Sequence, residues 1–396
     1  MEYKTVKLKD IASITMGQSP KGSSYNKEKK GMPFLQGNKT FGRLYPSIET
    51  WTTEPTKIGK KGTVLMSVRA PVGDLNIANQ DVCIGRGLCS IEMKNEKNEY
   101  LYYLLKNAMK EIKRKSTGTV FASINKKELE EIKVIDFNEK EQIKIAKVLS
   151  NIDKKIELNN QINNNLLELC KKIFEEWFVN YNFPENNEKM KDSILGKIPN
   201  DWKICKVQEI AKIKRGASPR PIQNYISNNG VNWLKISDVT GIKEPFIYNI
   251  KEKIKEEGKE KSCFIKKGTL VISNSATPGI PKFIEIDTCV HDGWLVLYDY
   301  KDYYKYFIYF LILNIRNKLL SLSNGSVFQN LKTDILKQFE FVNPTKTILI
   351  KYSEIVEPLM NKVKQNCEEN TILEQINETL LPKLMKGEID IDKIEI

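Results

Sequence analysis

Two long segments of the chain place apolar residues at alternating steps of four and three, the pattern of a helix that packs along another helix. We predict these helices over residues 139–181 and 346–387. Because both keep one register, we predict that they pair as a coiled coil, although each could instead pack only on its own domain. The apolar positions are Ile145, Leu149, Ile152, Ile156, Leu166, Ile173 and Trp177 in the first helix, and Tyr352, Val356, Leu359, Val363, Leu373, Leu380 and Leu384 in the second.

Asparagine interrupts both apolar patterns near the middle of each helix. The residues are Asn159 and Asn163 in the first helix and Asn366 and Asn370 in the second. Buried asparagine fixes the register of a coiled coil at some cost in stability. An antiparallel pair would bring Asn159 to Asn370 and Asn163 to Asn366, so we predict these four as helix-helix register residues.

The remainder of the chain is a duplicated pattern of short β-branched strands broken by Gly and Pro. Residues 60–67 (KKGTVLMS) return as 266–273 (KKGTLVIS), 11–20 return as 210–219, and 116–121 return as 323–328. The helical segments 100–105 and 306–311 are rich in aromatic residues, which we predict as core. Two related α+β domains follow, over residues 1–138 and 203–345, with a linker at 182–202.

Composition favours a folded protein with a polyanionic partner. The net charge of +13 and the pI near 9.1 suit nucleic acid. The chain is also rich in Ile, Asn and Tyr, a bias of AT-rich genomes that raises Lys content, so charge alone leaves a solvated surface as the alternative. Seven cysteines without a Cys-x-x-Cys pair, and apolar runs far shorter than a bilayer, predict a reducing cytoplasmic location and no membrane.

The motifs of common catalysts are absent or weak. The one histidine, His291, has Gly85 as its counterpart, so the two copies cannot share histidine chemistry. There is no phosphate-binding loop, and residues 85–90 (GRGLCS) indicate a turn. Glu-Ile-Lys tripeptides resemble part of a nuclease motif but arise readily by chance in a chain this rich in Glu and Lys. We therefore predict no catalytic residue and no metal site.

Several segments together resemble the specificity (S) subunit of type I restriction-modification systems, over nearly the whole chain. They are 195–202 (LGKIPNDW) leading into 210–216, Glu141-Gln142-x-x-Ile145 at a long-helix start, and the Gly-x-Val-Phe segments. The resemblance implies an α+β fold: two pseudo-symmetric target-recognition domains separated by an antiparallel coiled coil of two long helices. The first copy departs from the pattern because it lacks the LGKIPNDW lead-in.

The resemblance also implies function and partners. Each domain would recognise one part of a bipartite, asymmetric site in double-stranded DNA, and the helices would dock two methyltransferase (M) subunits, which restriction (R) subunits join. S-adenosylmethionine, Mg²⁺ and ATP would belong to those partners, with no cofactor in this chain. Two alternatives stay open: the specificity subunit of another restriction class, with a fused methyltransferase-nuclease partner, and a coiled-coil adaptor that does not bind DNA.

Base recognition requires polar side chains on loops that reach the major groove, flanked by cations on phosphates. Arg69 corresponds to Ser275 and Arg86 to Asp292, as expected if the two half-sites differ. The predicted DNA-binding residues are Gln18, Lys21, Lys39, Arg43, Arg69 and Arg86 in the first copy, and Arg215, Arg220, Lys235, Asn274, Lys282 and His291 in the second.

Overall fold

A computed structural model describes residues 3–116, 122–184, 189–322 and 330–391. The chain forms two compact units, which we call unit 1 (Met1–Leu158 and Ile372–Ile396) and unit 2 (Asn159–Thr371). Each of the two long helices gives one part to each unit. The predicted domain boundaries, by contrast, keep the helices apart from the sheets.

Among the described residues, unit 1 contains three sheets and the start of the first long helix. Its strands are β1 (Lys4–Lys7), β2 (Ala12–Met16), β3 (Tyr25–Asn26), β4 (Met32–Leu35), β5 (Trp51–Thr52), β6 (Ile58–Gly59), β7 (Val64–Ser67), β8 (Leu75–Ile77), β9 (Val82–Ile84), β10 (Leu88–Met93) and β11 (Lys133–Asp136). Its helices are α1 (Leu8–Ile11), α2 (Asn98–Asn107), α3 (Met109–Ser116), α4 (Lys126–Glu130) and α5 (Glu139–Phe178), of which α5 continues into unit 2.

Unit 2 repeats these elements and adds to them. Its strands are β12 (Met190–Ser193), β13 (Gly196–Pro199), β14 (Lys203–Lys206), β15 (Lys212–Arg215), β16 (Ile226–Ser227), β17 (Val231–Leu234), β18 (Phe246–Ile247), β19 (Lys253–Ile254), β20 (Cys263–Ile265), β21 (Thr269–Ser273), β22 (Pro281–Ile284), β23 (Thr288–Val290), β24 (Trp294–Tyr298) and β25 (Glu340–Asn343). Its helices are α6 (Val207–Ile210), α7 (Lys305–Leu322), α8 (Thr333–Gln338) and α9 (Lys346–Met385), of which α9 continues into unit 1.

The two units share one sheet topology. In unit 1 the strand orders are β2-β10-β7-β8, β3-β5-β4-β9-β6 and β1-β11. Unit 2 has the equivalent orders β15-β24-β21-β22, β16-β19-β17-β23-β20 and β14-β25, with β18 added to the first sheet and a separate β12-β13 hairpin. The parallel β4-β9 pair recurs as the parallel β17-β23 pair. The predicted mixed α+β class and the duplication are confirmed.

Strand β7 shows why the repeated strands lack a polar face. Val64 and Met66 pack in the main core of unit 1, while Leu65 packs in a second cluster that includes Leu35 and Ile84 of the other sheet. Both faces of the sheet are therefore covered, and each residue of β7 is buried. In unit 2, Val271 packs in a small cluster with Leu234 while its neighbours pack in the large core.

The long helices supply part of each core. In unit 1, Ile145 and Leu149 of α5 pack in the same cluster as Leu381 and Leu384 of α9. In unit 2, the α5 residues Phe174 and Trp177 share a cluster with Tyr352 and Val356 of α9. Each cluster also contains sheet residues and the aromatic helix, α2 or α7, that was predicted as core. The helices thus pack on each other as well as on their sheets.

The LGKIPNDW lead-in of unit 2 closes over the end of α5. Trp202 is fully buried and stacks on Phe183, with ring centroids 5.1 Å apart, while its ring also meets Phe178 at 5.9 Å. Gly196 turns the β12-β13 hairpin with φ at 98°, a backbone conformation that favours glycine. The motif is therefore a structural element that fixes where the chain leaves the helix.

Candidate nucleic-acid interface

Three loops of unit 1 meet at the turn at residues 85–87, between β9 and β10, and we call this the first junction. Backbone hydrogen bonds hold the loops together, and an added Cβ at Gly17 would lie 2.2 Å from the carbonyl oxygen of Gly85. Only glycine allows this approach. The bonds run from Gly17 N to Leu88 O (2.9 Å), Gln18 N to Ile84 O (2.9 Å), Gly85 N to Leu35 O (2.8 Å) and Val68 N to Gly87 O (2.9 Å).

Exposed polar side chains surround the first junction. Gln18, Arg69 and Arg86 are exposed there. Their contact with DNA stays a prediction. Ser19 links two of the loops, because its Oγ lies 3.0 Å from Nε2 of Gln36 and accepts from the backbone N of Arg86 at 3.2 Å. Lys21 and Lys39 are also exposed, on the two loops that contain Ser19 and Gln36.

Unit 2 has the same junction around residues 291–293, the second junction. An added Cβ at Gly216 would lie 2.1 Å from the carbonyl oxygen of His291, so this glycine serves as Gly17 does. The equivalent bonds run from Gly216 N to Trp294 O (2.8 Å), Ala217 N to Val290 O (3.0 Å), His291 N to Leu234 O (3.2 Å) and Asn274 N to Gly293 O (2.8 Å). The duplication therefore extends to individual hydrogen bonds.

Asp292 stands at the second junction where Arg86 stands at the first. Ser218 Oγ donates to its Oδ1 at 2.6 Å, and Arg215 Nε donates to its carbonyl oxygen at 2.8 Å. The Ser218 hydrogen bond lowers the pKa of Asp292 below its ordinary value despite partial burial, so the carboxylate is ionised at neutral pH. With 44% of its side chain exposed, Asp292 presents a negative acceptor to solvent. Arg220 is exposed on the same loop as Ser218.

Three further residues that were predicted to bind DNA lie at the second junction, and each already contacts another group of the protein. Asn274 is 5% exposed and donates to the carbonyl oxygen of Asp292 at 3.0 Å. Lys235 forms an ion pair with Glu252. His291 keeps 18% of its side chain exposed, with Nε2 3.2 Å from the backbone N of Ile236. Burial lowers the pKa of His291, so its ring is neutral at pH 7. Asn274 is therefore a structural residue, which corrects its assignment to the DNA surface.

The prediction that Lys282 binds DNA is also corrected. It is 2% exposed on β22, and its ammonium donates to the carbonyl oxygens of Ile242 and Glu244 at 2.8 and 2.6 Å. It ties the long loop after β17 to the sheet. Its counterpart in unit 1 is Asn76, fully buried on β8, which exchanges hydrogen bonds with both backbone groups of Gly42. Burial lowers the pKa of Lys282 to about 8.

The prediction that Arg43 binds DNA is the third to be corrected. Its guanidinium is half-buried and forms ion pairs with Asp153 of α5 and Glu374 of α9, at 2.8 and 2.7 Å. Burial opposes its charge, but the attraction of Asp153, the hydrogen bond to Asp153 and the attraction of Glu374 together outweigh that effect, so the pKa of Arg43 is raised. Its terminal nitrogens are paired with these carboxylates and its Nε is buried, so the guanidinium is not available to a base edge.

The four seam asparagines lie together in unit 2. Asn159 Nδ2 donates to Asn370 Oδ1 at 2.9 Å, and Asn366 Nδ2 donates to Asn163 Oδ1 at 2.8 Å. All four are at most 8% exposed. The structure thus brings together the two pairs that an antiparallel arrangement requires, while their effect on register stays a prediction.

Sequence reasoning missed Gln36, Ser218 and Asp292. Gln36 follows the buried strand β4 as Lys235 follows β17, so the repeat itself gave a signal for it. Asp292 was recognised only as the counterpart of Arg86. Ser218 lies in the repeated segment 210–219, at the position of Ser19 in the first copy, so the repeat marked it, although its contact with Asp292 joins loops 74 residues apart. The Gly-x-Val-Phe residues, 118–121 and 325–328, lie outside the described residues.

Other chemistry is limited in the described part of the chain. It contains no group of three or more His, Cys, Asp or Glu side chains that could hold a metal ion. Among the same residues, no helix has both the length and the apolar character needed to cross a membrane. The seven cysteines are free thiols, and burial raises the pKa of Cys89, Cys170 and Cys367 to about 12.

Comparison with known proteins gives one consistent result. The family model of the type I restriction modification DNA specificity domain matches residues 1–168 and 199–378. The chain is 27% identical to the type I restriction enzyme MjaIX specificity subunit of Methanocaldococcus jannaschii, covering 99% of this chain and 95% of that protein. It is 45% identical to the putative MjaX specificity subunit of the same organism, over only 40% of this chain and 38% of that protein.

A solved structure is similar over nearly the whole chain. The type I restriction-modification system S subunit from M. genitalium superposes with a TM-score of 0.62 at 19% identity, covering 97% of this chain and 96% of that one. At this identity the likeness shows a shared fold. Because the family model matches both halves of the chain, on the two repeats described above, the chain belongs to the type I restriction modification DNA specificity family.

Proposed function

We propose that this chain is the non-catalytic DNA specificity subunit of a type I restriction-modification complex, and that its two junctions bind the two halves of a bipartite, asymmetric site. The observation that carries this proposal is the pair Arg86 and Asp292. These side chains occupy equivalent turns, held by equivalent backbone hydrogen bonds, yet they have opposite charge. A shared framework with opposite chemistry suits two different half-sites.

The exposed groups fit base recognition in the major groove. A guanidinium such as that of Arg86 donates two hydrogen bonds to O6 and N7 of guanine, while an ionised carboxylate such as Asp292 accepts from N4 of cytosine. Gln18 and Gln36 offer the amide that pairs with adenine. Lys21, Lys39 and Arg220, on the flanking loops, would contact phosphates, which position the protein without recognising sequence.

The assembly role rests on family membership and on the paired long helices. The helices would carry two methyltransferase subunits, which restriction subunits join, and S-adenosylmethionine, Mg²⁺ and ATP would bind to those partners. This chain would hold no cofactor and perform no chemistry.

The test uses the complex of this chain with its methyltransferase subunits, selecting from a library of duplexes with randomised sequence at two salt concentrations. We expect a two-part consensus whose binding weakens steeply with salt, because Lys and Arg release counterions from phosphates. Arg86→Ala and Asp292→Ala should each lower discrimination against the wrong base at one base pair by about 1–3 kcal/mol. The two affected base pairs should lie in different halves of the site. Lys212→Ala removes an exposed charge at the far end of β15 from Arg215 and serves as the control.

The outcomes separate the alternatives. Binding that is indifferent to salt and sequence would refute the proposal and favour an adaptor that does not bind DNA. A two-part consensus obtained only with a partner that combines methylation and cleavage in one chain would assign another restriction class.

A further inference from the structure

Arg43 connects a loop of the first junction to both long helices within unit 1. Its Nη2 lies 2.8 Å from Asp153 of α5, and its Nη1 lies 2.7 Å from Glu374 of α9. The Asp153 side chain is only 1% exposed and accepts two further hydrogen bonds, from Tyr103 at 2.9 Å and Asn377 at 3.1 Å. Three elements, α2, α5 and α9, therefore converge on the group that holds Arg43.

The loop between β4 and β5 transmits this constraint to the DNA-facing side. Gly42, next to Arg43, exchanges two hydrogen bonds with the buried Asn76. The preceding 3-10 turn, Asn38–Thr40, contains the exposed Lys39 and is fixed by Asn38 Nδ2, which lies 2.5 Å from Asp74. The loop leaves β4 through Gln36, whose side chain contacts Ser19 of the first junction. Rigid supporting contacts of this kind decide how accurately a binding group is placed.

We propose that Arg43 is a positioning residue for recognition of one half-site, holding the Gln36–Lys39 segment at a fixed place relative to the helix pair without contacting DNA. This inference rests on the proposed function above. It predicts that breaking the link lowers sequence discrimination at the half-site of unit 1 while leaving the other half-site unaffected.

Unit 2 achieves the equivalent connection differently. Tyr248, on the corresponding loop, donates its hydroxyl to the backbone oxygen of Lys364 in α9 at 3.0 Å. The α9 position equivalent to Asp153 is Met360, which is fully buried. The chain therefore shows that methionine suits this place on the helix pair, and it supplies a matched replacement for the charged group.

The experiment separates stability from positioning. Arg43→Met alone leaves the Asp153 carboxylate without its cation, and we expect the unfolding temperature to fall by roughly 10 °C. Arg43→Met/Asp153→Met removes both charges and should recover part of that loss, since Tyr103 and Asn377 then lose the acceptor that Asp153 provides. If Arg43 positions the loop, the double variant, in complex with the methyltransferase subunits, should still discriminate about tenfold less at base pairs of the unit 1 half-site. Tyr248→Phe should reduce discrimination at the other half-site only.

A double variant that regains its unfolding temperature and selects the wild-type consensus from the duplex library would overturn the inference. Should the double variant stay unstable, Arg43→Lys decides instead, because an ammonium keeps the charge but has one nitrogen in place of the two that separately reach Asp153 and Glu374. We expect about a threefold loss confined to the same half-site, and unchanged discrimination would overturn the inference. Failure of the proposed function is distinguishable, since the wild-type complex would then select no two-part consensus.

Discussion

Units 1 and 2 share their backbone framework but not the side chains that use it. The loop between β7 and β8 shows the shared part. Ser67 Oγ accepts from Asp74 N and donates to Pro71 O, and Ser273 Oγ makes the same two contacts between β21 and β22. The junctions show the divergent part, with Arg86 in one unit and Asp292 in the other. The comparison teaches that duplication kept the residues that shape the turns while the exposed residues changed.

The largest expected effects test the shared framework. Gly17→Ala and Gly216→Ala place a Cβ 2.2 and 2.1 Å from backbone oxygens that cannot rotate away. We expect each to destabilise its own unit by about 3 kcal/mol, because overpacking against backbone forces the loops apart. Hydrogen exchange measured by mass spectrometry would locate the loss in unit 1 for the first variant and in unit 2 for the second.

The control for these variants is a second glycine pair. Gly62 and Gly268 both have φ at 85°, and an added Cβ would meet no atom within 4 Å. Alanine there should cost only about 1 kcal/mol, from backbone strain. Equal effects at both glycine pairs would show that the close approach at the junctions is not what constrains the sequence.

The next expected effect is a dependence of stability on pH that arises from the buried Lys282 of unit 2 and not from its neutral counterpart, Asn76 of unit 1. Burial lowers the folded-state pKa of Lys282 to about 8, below its ordinary value of 10.5, so the folded protein disfavours the charged form. The unfolded chain binds more protons between these values, and stability should therefore rise with pH from about 8 to 10.5. Relative to Lys282→Met, the wild type should gain up to about 3 kcal/mol over this window, measured by urea unfolding.

Asn76 provides the matched comparison, because an amide in the same position does not titrate. The difference in unfolding free energy between wild type and Asn76→Leu should stay constant from pH 7 to 10.5. Parallel pH curves for wild type and Lys282→Met would mean that the amine is already hydrated in the folded state.

The local sequence pattern predicted those parts of the fold whose structure depends on residues close together in the chain. The heptads of α5 and α9, the aromatic helices α2 and α7, and the turn predicted at 85–90 are set by spacing of a few residues, and the structure contains each of them. The turn is shorter than predicted, because residues 88–90 belong to β10. The mixed pairing within the five-stranded sheets was not predictable. The parallel partner of Trp233 and Leu234 begins at Cys289, and no local pattern specifies so distant a neighbour.

Candidate site residues were harder to predict because burial of a charge depends on distant partners. Arg43 is 110 residues from Asp153 and 331 from Glu374, so its sequence context resembles any exposed loop. Lys282 and Asn274 could have been questioned from the repeat alone, since their counterparts are Asn76 on a short strand and the apolar Val68. For predicting which residues bind DNA, comparing the two copies position by position is thus more informative than the charges of either copy alone.

The smallest expected effect concerns the seam, where unit 2 pairs amides and unit 1 pairs Asn377 with Asp153. Asn366→Leu leaves the oxygen of Asn163 without its donor and should cost about 1–3 kcal/mol. Because leucines in both positions remove both amides, Asn163→Leu/Asn366→Leu should cost less than the sum of the single variants, with a coupling of about 1 kcal/mol in urea unfolding. As a control, Asn164→Leu changes an exposed residue next to Asn163 on α5, and its effect should add to that of Asn366→Leu. Additivity in both cycles would mean that the Asn163–Asn366 contact does not stabilise the antiparallel register.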